Sequence, residues 1–326
     1  MASSQVLPAR PWAAHAVLAG VVRSGVVESV HVGTAVALDP GGRPVVAAGD
    51  PGATLLARSA LKPLQAVAML RAGLSLDGAL LALAASSHSG ERFHLDGVRR
   101  MLASGALRTE ALQNTPDLPL DEEERLAWRL AGRPATSLAQ NCSGKHAAML
   151  LTCRENGWPL DAYCGPGHPL QRHIAGTVAE LSGEPVSAVA VDGCGAPALG
   201  VTASGLARAF ARLAVAPPGT PEGRVADAVR RHPEWLGGTG RGVTRLLGAV
   251  PGLIAKDGAE AVFAAALPDG GAVAVKIGDG STRPLLPVVV ALLRRLGVGG
   301  EGLDELADVA VLGHGQRVGK IEVTQL

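Results

Sequence analysis

The first stretch of the chain alternates valine-rich runs with turn residues. In "HAVLAGVVRSGVVESVHVGTAVALDPGGRPVVAA", residues 15–48, the apolar runs are punctuated by "RSG" and "DPGG". This pattern predicts strands joined by hairpin turns. The period then changes. Leu61, Leu64, Ala68 and Leu70 fall near helical spacing, so a helix is predicted from about Ser59 to Ala72, with Gly73 as its stop. From 91 to 235 the pattern stays mostly helical, through "ERFHLDGVRRMLASG", "DEEERLAWRLAG", "GKHAAMLLTCRENG", "HPLQRHIAGTVAELSG", "LGVTASGLARAFARLA" and "EGRVADAVRRHPEWLGG". Only "VSAVAVDGCG", residues 186–195, interrupts it, as a short strand running into a glycine turn. Strands return in "EAVFAAALP" and "GGAVAVKIGDG", separated by the hairpin signal "DGG", and the helix "LPVVVALLRRLG" follows.

Strands at both ends with helices between them predict an α+β fold. Its antiparallel sheet is drawn from about residues 12–55 and 253–326, flanked by helices, and the middle supplies a helical subdomain. No linker or repeat divides the chain, so a single domain is expected. Composition agrees. Apolar residues make up 47% of the 326, yet only eight residues are aromatic, so the core must be built from Ala, Leu and Val. A net charge of +1, without basic runs or interleaved aromatics, argues against nucleic acid as a partner and points to a small molecule. Residues 1–20 lack the charged head and apolar centre of a secretory signal, and no run reaches the roughly 20 apolar residues of a membrane span. A soluble cytoplasmic protein is expected, its four cysteines reduced and available for metal binding, catalysis or burial.

The basic residues carry a further signal. Of 30, only five are lysines: Lys62, Lys145, Lys256, Lys276 and Lys320. Where a surface cation suffices, this chain uses Arg. Guanidinium cannot lose its proton, whereas a desolvated lysine can become a neutral base or ligand. Lys62 follows Ser59 by three residues, on the same helical face, which is the Ser-Lys alternative to a Ser-His-Asp triad. By chance alone roughly a quarter of such a match is expected in this composition, so the helix-start position matters more than the spacing.

Other candidates have two readings each. "AASSHSGERFH" places Ser86, Ser87, His88 and Ser89 in a polar loop, either catalytic or a plain turn with Ser89 capping the next helix. "NCSGKHAAML" brings Cys142, Lys145 and His146 into one helical turn, and "VDGCGAPA" puts Asp192 and Cys194 on a glycine turn. These are zinc donors or buried free thiols. Cys153 reads as core, and Cys164 has no neighbouring donor. Lys276 ends a valine-rich strand, either facing solvent or lining a site beside the Ser59 helix.

Together "RSALKPLQA", "ASSHSGE", "NCSGKHAAML", "VDGCGAP" and "VKIGDG", in this order, resemble the asparaginase II family of bacterial L-asparaginases, the Rhizobium etli type. The likeness runs from "VVRSGVVESVHVGTAVALD" to "VGKIEV". It implies a fold akin to serine β-lactamases and glutaminases, hydrolysis of L-asparagine to L-aspartate and ammonia, and a homodimer. It also implies catalytic roles for Ser59 and Lys62, with Ser87 and Lys276 as a second Ser-Lys pair in which Ser86 could replace Ser87. Arg58, His88 and Asp192 would contact substrate, Asp192 through its α-amino group. Cys142, Lys145 and Cys194 would hold one zinc. Lys62, Lys145 and Lys276 would then be lysines because each must shed its proton. The chain departs from the family at Gly278, where Glu is more usual. A glutaminase, an SxxK peptidase-like hydrolase and a non-catalytic amino-acid or zinc sensor are the competing readings.

Overall fold

The computed structural model describes residues 15–326. The reading of residues 1–14 as free of a signal, and the assignment of 12–14 to the sheet, lie outside the described residues.

The chain opens with β1 (Ala16–Arg23), β2 (Val26–Leu38), β3 (Pro44–Ala48) and β4 (Thr54–Leu56). The predicted "RSG" turn is a tight one, with Ser24 and Gly25 both at positive φ, as a two-residue hairpin requires. After a 3-10 turn, Arg58–Leu61, come α1 (Lys62–Arg71), α2 (Gly78–Ala84), α3 (Arg92–Ser104), α4 (Glu122–Leu130), α5 (Ser143–Glu155) and α6 (Pro169–Ser182). Strands β5 (Ala188–Val191) and β6 (Pro197–Thr202) precede α7 (Ala203–Ala214), α8 (Pro221–Arg231), α9 (Pro233–Leu236) and α10 (Gly242–Ala249). The chain ends with β7 (Ile254–Gly258), β8 (Val262–Ala266), β9 (Ala272–Ile277), α11 (Leu285–Arg295), α12 (Glu301–Ala307), β10 (Ala310–Gly313) and β11 (Gln316–Val323).

The two ends of the chain build one antiparallel sheet, in the order β10-β11-β1-β2-β9-β8-β7, with β3 added on β2. Val21 faces Ile321 across β1 and β11, and Val36 faces Ala274 across β2 and β9. Every residue of β8 is buried, as is every residue of β9 except the half-buried Lys276. Helices α7 and α11 both pack on these central strands. Cover on both faces explains why their sequences are continuously apolar instead of alternating. The α+β expectation therefore holds, and among the described residues no helix is long and apolar enough to cross a membrane.

The middle departs from expectation in two places. Residues 199–214 read as one helix, but Pro197–Thr202 form a buried strand that joins β4 and β5 in a second, three-stranded sheet. A short apolar run is compatible with strand or helix, and here pairing on both sides decides it. Thr202 marks the true helix start, its hydroxyl accepting the Gly205 N–H at 2.9 Å. Ser89 does not cap α3. The helix begins at Arg92, and the Ser89 hydroxyl donates instead to Gly237 O at 3.2 Å.

Candidate active site

Ser59 lies in the 3-10 turn that follows the second sheet. Arg58, just before it, has φ +50, a left-handed conformation that costs a non-glycine residue about 1–3 kcal/mol. An ion pair holds it there, Arg58 Nε donating to Asp192 Oδ1 at 2.7 Å. Burial pushes the Asp192 carboxyl up, but Lys145, Arg58 and the Gly193 N–H outweigh it and keep the pKa below the usual value. Beneath the turn runs the end of β7. A Cβ on Gly258 would sit 2.9 Å from Ala57 O and 3.0 Å from Ala60 N, so only glycine lets strand and turn approach this closely. Ser59 is nearly buried, and among the described residues its hydroxyl has no hydrogen-bond partner.

Pro63 opens α1, where a missing N–H is harmless, and fixes Lys62 as its first residue. The Lys62 side chain is buried and points across to α2 and α5. Its amine lies 3.0 Å from Ser87 Oγ and 3.2 Å from Cys142 Sγ, and it donates to Ser86 O. One amine thus joins three of the motifs. The expected pairing was Ser59 with Lys62 and Ser87 with Lys276; the structure puts Ser87 on Lys62. The Ser87 segment is clamped from the other side, with Ser87 N–H on Leu236 O, Ser89 N–H on Gly237 O, and the Glu91 carboxylate accepting both N–H and hydroxyl of Thr239.

His88, expected among the substrate contacts, is wholly buried behind this wall. Its Nε2 is 2.8 Å from Ser143 Oγ, at the first turn of α5, and its ring stacks on His94 at 5.1 Å. Burial, then His94, Lys62 and Arg241, hold its pKa well below the ordinary histidine value. A neutral imidazole that braces α5 accounts for its place.

Cys142, Lys145 and Cys194 do converge. Helix α5 reaches them because Gly144 packs against α2, where a Cβ would fall 2.3 Å from Leu83 O. Lys145 Nζ lies 3.1 Å from Cys194 Sγ, and Asp192 Oδ2 lies 3.8 Å from the same sulfur. A hydrogen bond from Cys194, with Lys62 and Lys145 acting against burial, draws the Cys142 thiol well below its usual value. The same bond and burial push Cys194 up. Burial alone would lower Lys145, but Cys194, Cys142 and Asp192 together hold it above the ordinary lysine value. Among the described residues no three His, Cys, Asp or Glu side chains could hold a metal. Two sulfurs and the Lys145 nitrogen would form a donor set of the kind that holds zinc only once that amine gives up its proton. Cys164 is less isolated than the sequence indicated, since it borders this pair, 3.8 Å from His146 Nδ1. Cys153 is core, as read.

Lys276 stands at the far side. Its amine donates to Ile277 O at 2.7 Å and to Glu260 O, a carbonyl in the β7–β8 turn where Glu260 and Ala261 have positive φ. Burial lowers its pKa, against Glu260 and Asp279 and with help from Arg58. Lys276 therefore neighbours Arg58 but is not bonded to Ser87. The departure at Gly278 has a local cause. A Cβ there would lie 2.8 Å from His15 Nδ1 and 3.0 Å from Val32 O, so the His15 ring takes the space a side chain would need. Sequence reasoning gave no role to Lys256, Asp257 or Arg241, which form an ion cluster under the Ser59 turn, Lys256 buried and the other two half-buried. The scarcity of lysine was the one signal that could have found it.

No curated protein matches the sequence. Among solved structures, a β-lactamase from Mycobacterium bovis covers 82% of this chain and 95% of its own at 17% identity, with a TM-score of 0.46. A hydrolase with promiscuous acyltransferase activity, EstCE1, matches 81% of this chain and 93% of its own at 14% identity and a TM-score of 0.41. Mglu in its tris and glutamate form matches 88% and 65% at 20% identity and a TM-score of 0.36. The profile of the L-asparaginase II family spans residues 19–323 and so takes in every side chain of the site. This chain belongs to the L-asparaginase II family, whose members act on amides.

Proposed function

We propose that this protein hydrolyses L-asparagine to L-aspartate and ammonia, with Ser59 as nucleophile and Lys62 as proton acceptor. The observation that carries this reading is the buried Lys62 amine, one helical turn from Ser59 and 3.0 Å from Ser87 Oγ. The Ser87 hydroxyl is committed to that amine, whereas the Ser59 hydroxyl is free to attack. Ser59 Oγ bonds to the side-chain amide carbon, its proton passes to Lys62, and the protonated amine returns it to the leaving ammonia. Water then attacks the acyl ester, its proton passes to Lys62 and from there to Ser59 Oγ as the ester bond breaks, and aspartate leaves. Recognition of the substrate follows from the Arg58 and Asp192 pair, which offers a guanidinium to the α-carboxylate and a carboxylate to the α-ammonium. Lys276, beside Arg58, adds positive charge to the same end of the pocket.

The reading includes one zinc per chain on Cys142, Lys145 and Cys194. When bound it would supply a fixed charge that orders the Asp192 turn. Attack is left to serine, because two thiolates leave such a metal little residual charge with which to acidify water. Ammonia release from L-asparagine, L-glutamine and a β-lactam, assayed in parallel, tests the substrate. Asparagine should be turned over fastest. Preference for glutamine or the β-lactam would make this a glutaminase or an SxxK peptidase-like hydrolase, and release from none would leave a sensor.

A further inference from the structure

Helices α3 and α4 line a cavity of about 420 Å³, within the size range of small-molecule pockets. Leu95 and Trp128 supply its apolar wall, and the Trp128 ring is held in place because its indole N–H donates to Pro134 O at 2.8 Å. Two opposite charges line the same cavity without meeting. On α4, Glu124 is half-buried, and burial together with the nearby Glu91, Asp121 and Glu123 raises its carboxyl pKa. Among the described residues no cation pairs with it. Arg133, just after α4, lies over the Trp128 ring, 5.0 Å from its centre, and among the described residues has no carboxylate partner. On α3 the Asp96 carboxylate is shared between Arg99 at 2.8 Å and Arg92 at 3.6 Å, which leaves that wall net positive. A half-buried carboxylate among like charges is costly unless a cation answers it.

We propose that this cavity is a second binding site, for a free α-amino acid with an apolar side chain: Glu124 accepts from the ammonium, Arg133 donates to the carboxylate, and the side chain lies against Leu95 and Trp128. Charge complementarity selects this chemistry. A simple anion would meet Glu124 and a simple cation would meet three guanidinium groups, whereas a zwitterion answers both signs at once. An apolar side chain then sheds water against Leu95 and the indole ring. The site is separate from the Arg58 and Asp192 pair, and its occupation does not depend on serine chemistry. Gly90 lines the cavity with φ +93, and a Cβ there would fall 2.7 Å from Pro119 Cβ, so glycine is needed where the chain turns against the approach to α4. Asp121, the N-cap of α4, donates its N–H to Ser89 O at 3.0 Å. The segment that carries Ser87 to Lys62 therefore ends at this cavity.

Isothermal titration calorimetry of the whole chain with L-phenylalanine is the test, beside phenylalaninamide, which lacks the carboxylate, and hydrocinnamate, which lacks the ammonium. L-Phenylalanine should bind saturably, and each analogue should bind more weakly by roughly tenfold or more, as expected for a lost charge-assisted contact. Glu124→Gln and Arg133→Gln should each weaken L-phenylalanine by a similar factor, and Arg58→Gln should leave its binding unchanged. Thermal denaturation of each variant checks that it folds; Arg133 is exposed, so its variant carries the test if Glu124→Gln does not fold. Absence of binding to the native chain overturns the proposal. Binding that is lost in Arg58→Gln but kept in the folded Glu124→Gln or Arg133→Gln chain also overturns it, because the amino acid then sits on the catalytic ion pair. Equal binding of L-phenylalanine and its two analogues overturns it too, and makes the cavity a plain apolar cleft.

Discussion

Arg58 and Asp192, 134 residues apart in sequence, meet in one ion pair of 2.7 Å beside Ser59. Their side chains are 23% and 11% exposed, so each charge depends on the other. In the proposed function an α-amino acid, which carries the same two charges, exchanges with the pair, ammonium to Asp192 and carboxylate to Arg58.

Replacing either residue by its neutral analogue should therefore act on binding. Asp192→Asn or Arg58→Gln is expected to raise KM for L-asparagine by about tenfold or more, the loss of a charge-assisted hydrogen bond, with a smaller fall in kcat. Initial rates over a range of asparagine concentrations measure the split. The double variant separates this effect from the cost of leaving one charge unpaired. An unchanged KM in all three would detach the pair from substrate recognition.

Ser59→Ala and Lys62→Arg should each remove amide hydrolysis while the chain stays folded. Loss of a general base alone costs about 10²–10⁴ in rate, and a guanidinium cannot act as one. Ammonia release and far-ultraviolet circular dichroism read the two halves of the statement. Near-normal turnover in a folded Lys62→Arg variant rules out proton acceptance by Lys62.

Purified protein supplied with zinc should hold one metal per chain, and Cys142→Ser should lose it. Elemental mass spectrometry on both proteins decides. Failure of the native chain to retain zinc would return Cys142 and Cys194 to the status of buried thiols that hold Lys62 and Lys145 in place.

Acid should destabilise the fold through its buried histidines before the carboxylates titrate. Burial lowers the His94 pKa to about 4, against its bond to Glu234 O, from the 6.5 of an exposed imidazole. Between those values the unfolded chain takes up a proton that the folded chain refuses. Stability is therefore full above pH 6.5 and declines as pH falls towards 4, at roughly 1.4 kcal/mol per pH unit for each such group. Urea midpoints at pH 7.5, 6.0 and 5.0 should show the slope, and His94→Gln should flatten it. An unaltered slope in that variant assigns acid sensitivity elsewhere.

What the sequence settled by itself is whatever neighbours along the chain decide. Valine runs broken by "RSG" and "DGG" can only be hairpins, and continuous apolar runs such as that of β8 belong in a covered sheet, so the α+β architecture and its two-ended sheet were legible. The motifs that meet at the Lys62 amine, those of Ser87 and Cys142, could be named from the sequence as well. Partners were not legible. Lys62 is three residues from Ser59 but lies on Ser87, 25 residues away, because α1, α2 and α5 pack with the amine turned towards the Ser86 carbonyl and the Cys142 sulfur. His88 faces inward for the same reason, and Gly278 is glycine because of a ring 263 positions earlier in the chain. The strand at Pro197–Thr202 was ambiguous until β4 and β5 flanked it. Local periodicity is a property of a few consecutive residues. The direction of a buried polar side chain is set by which distant group can satisfy it once water is excluded, and only the packed tertiary structure determines that.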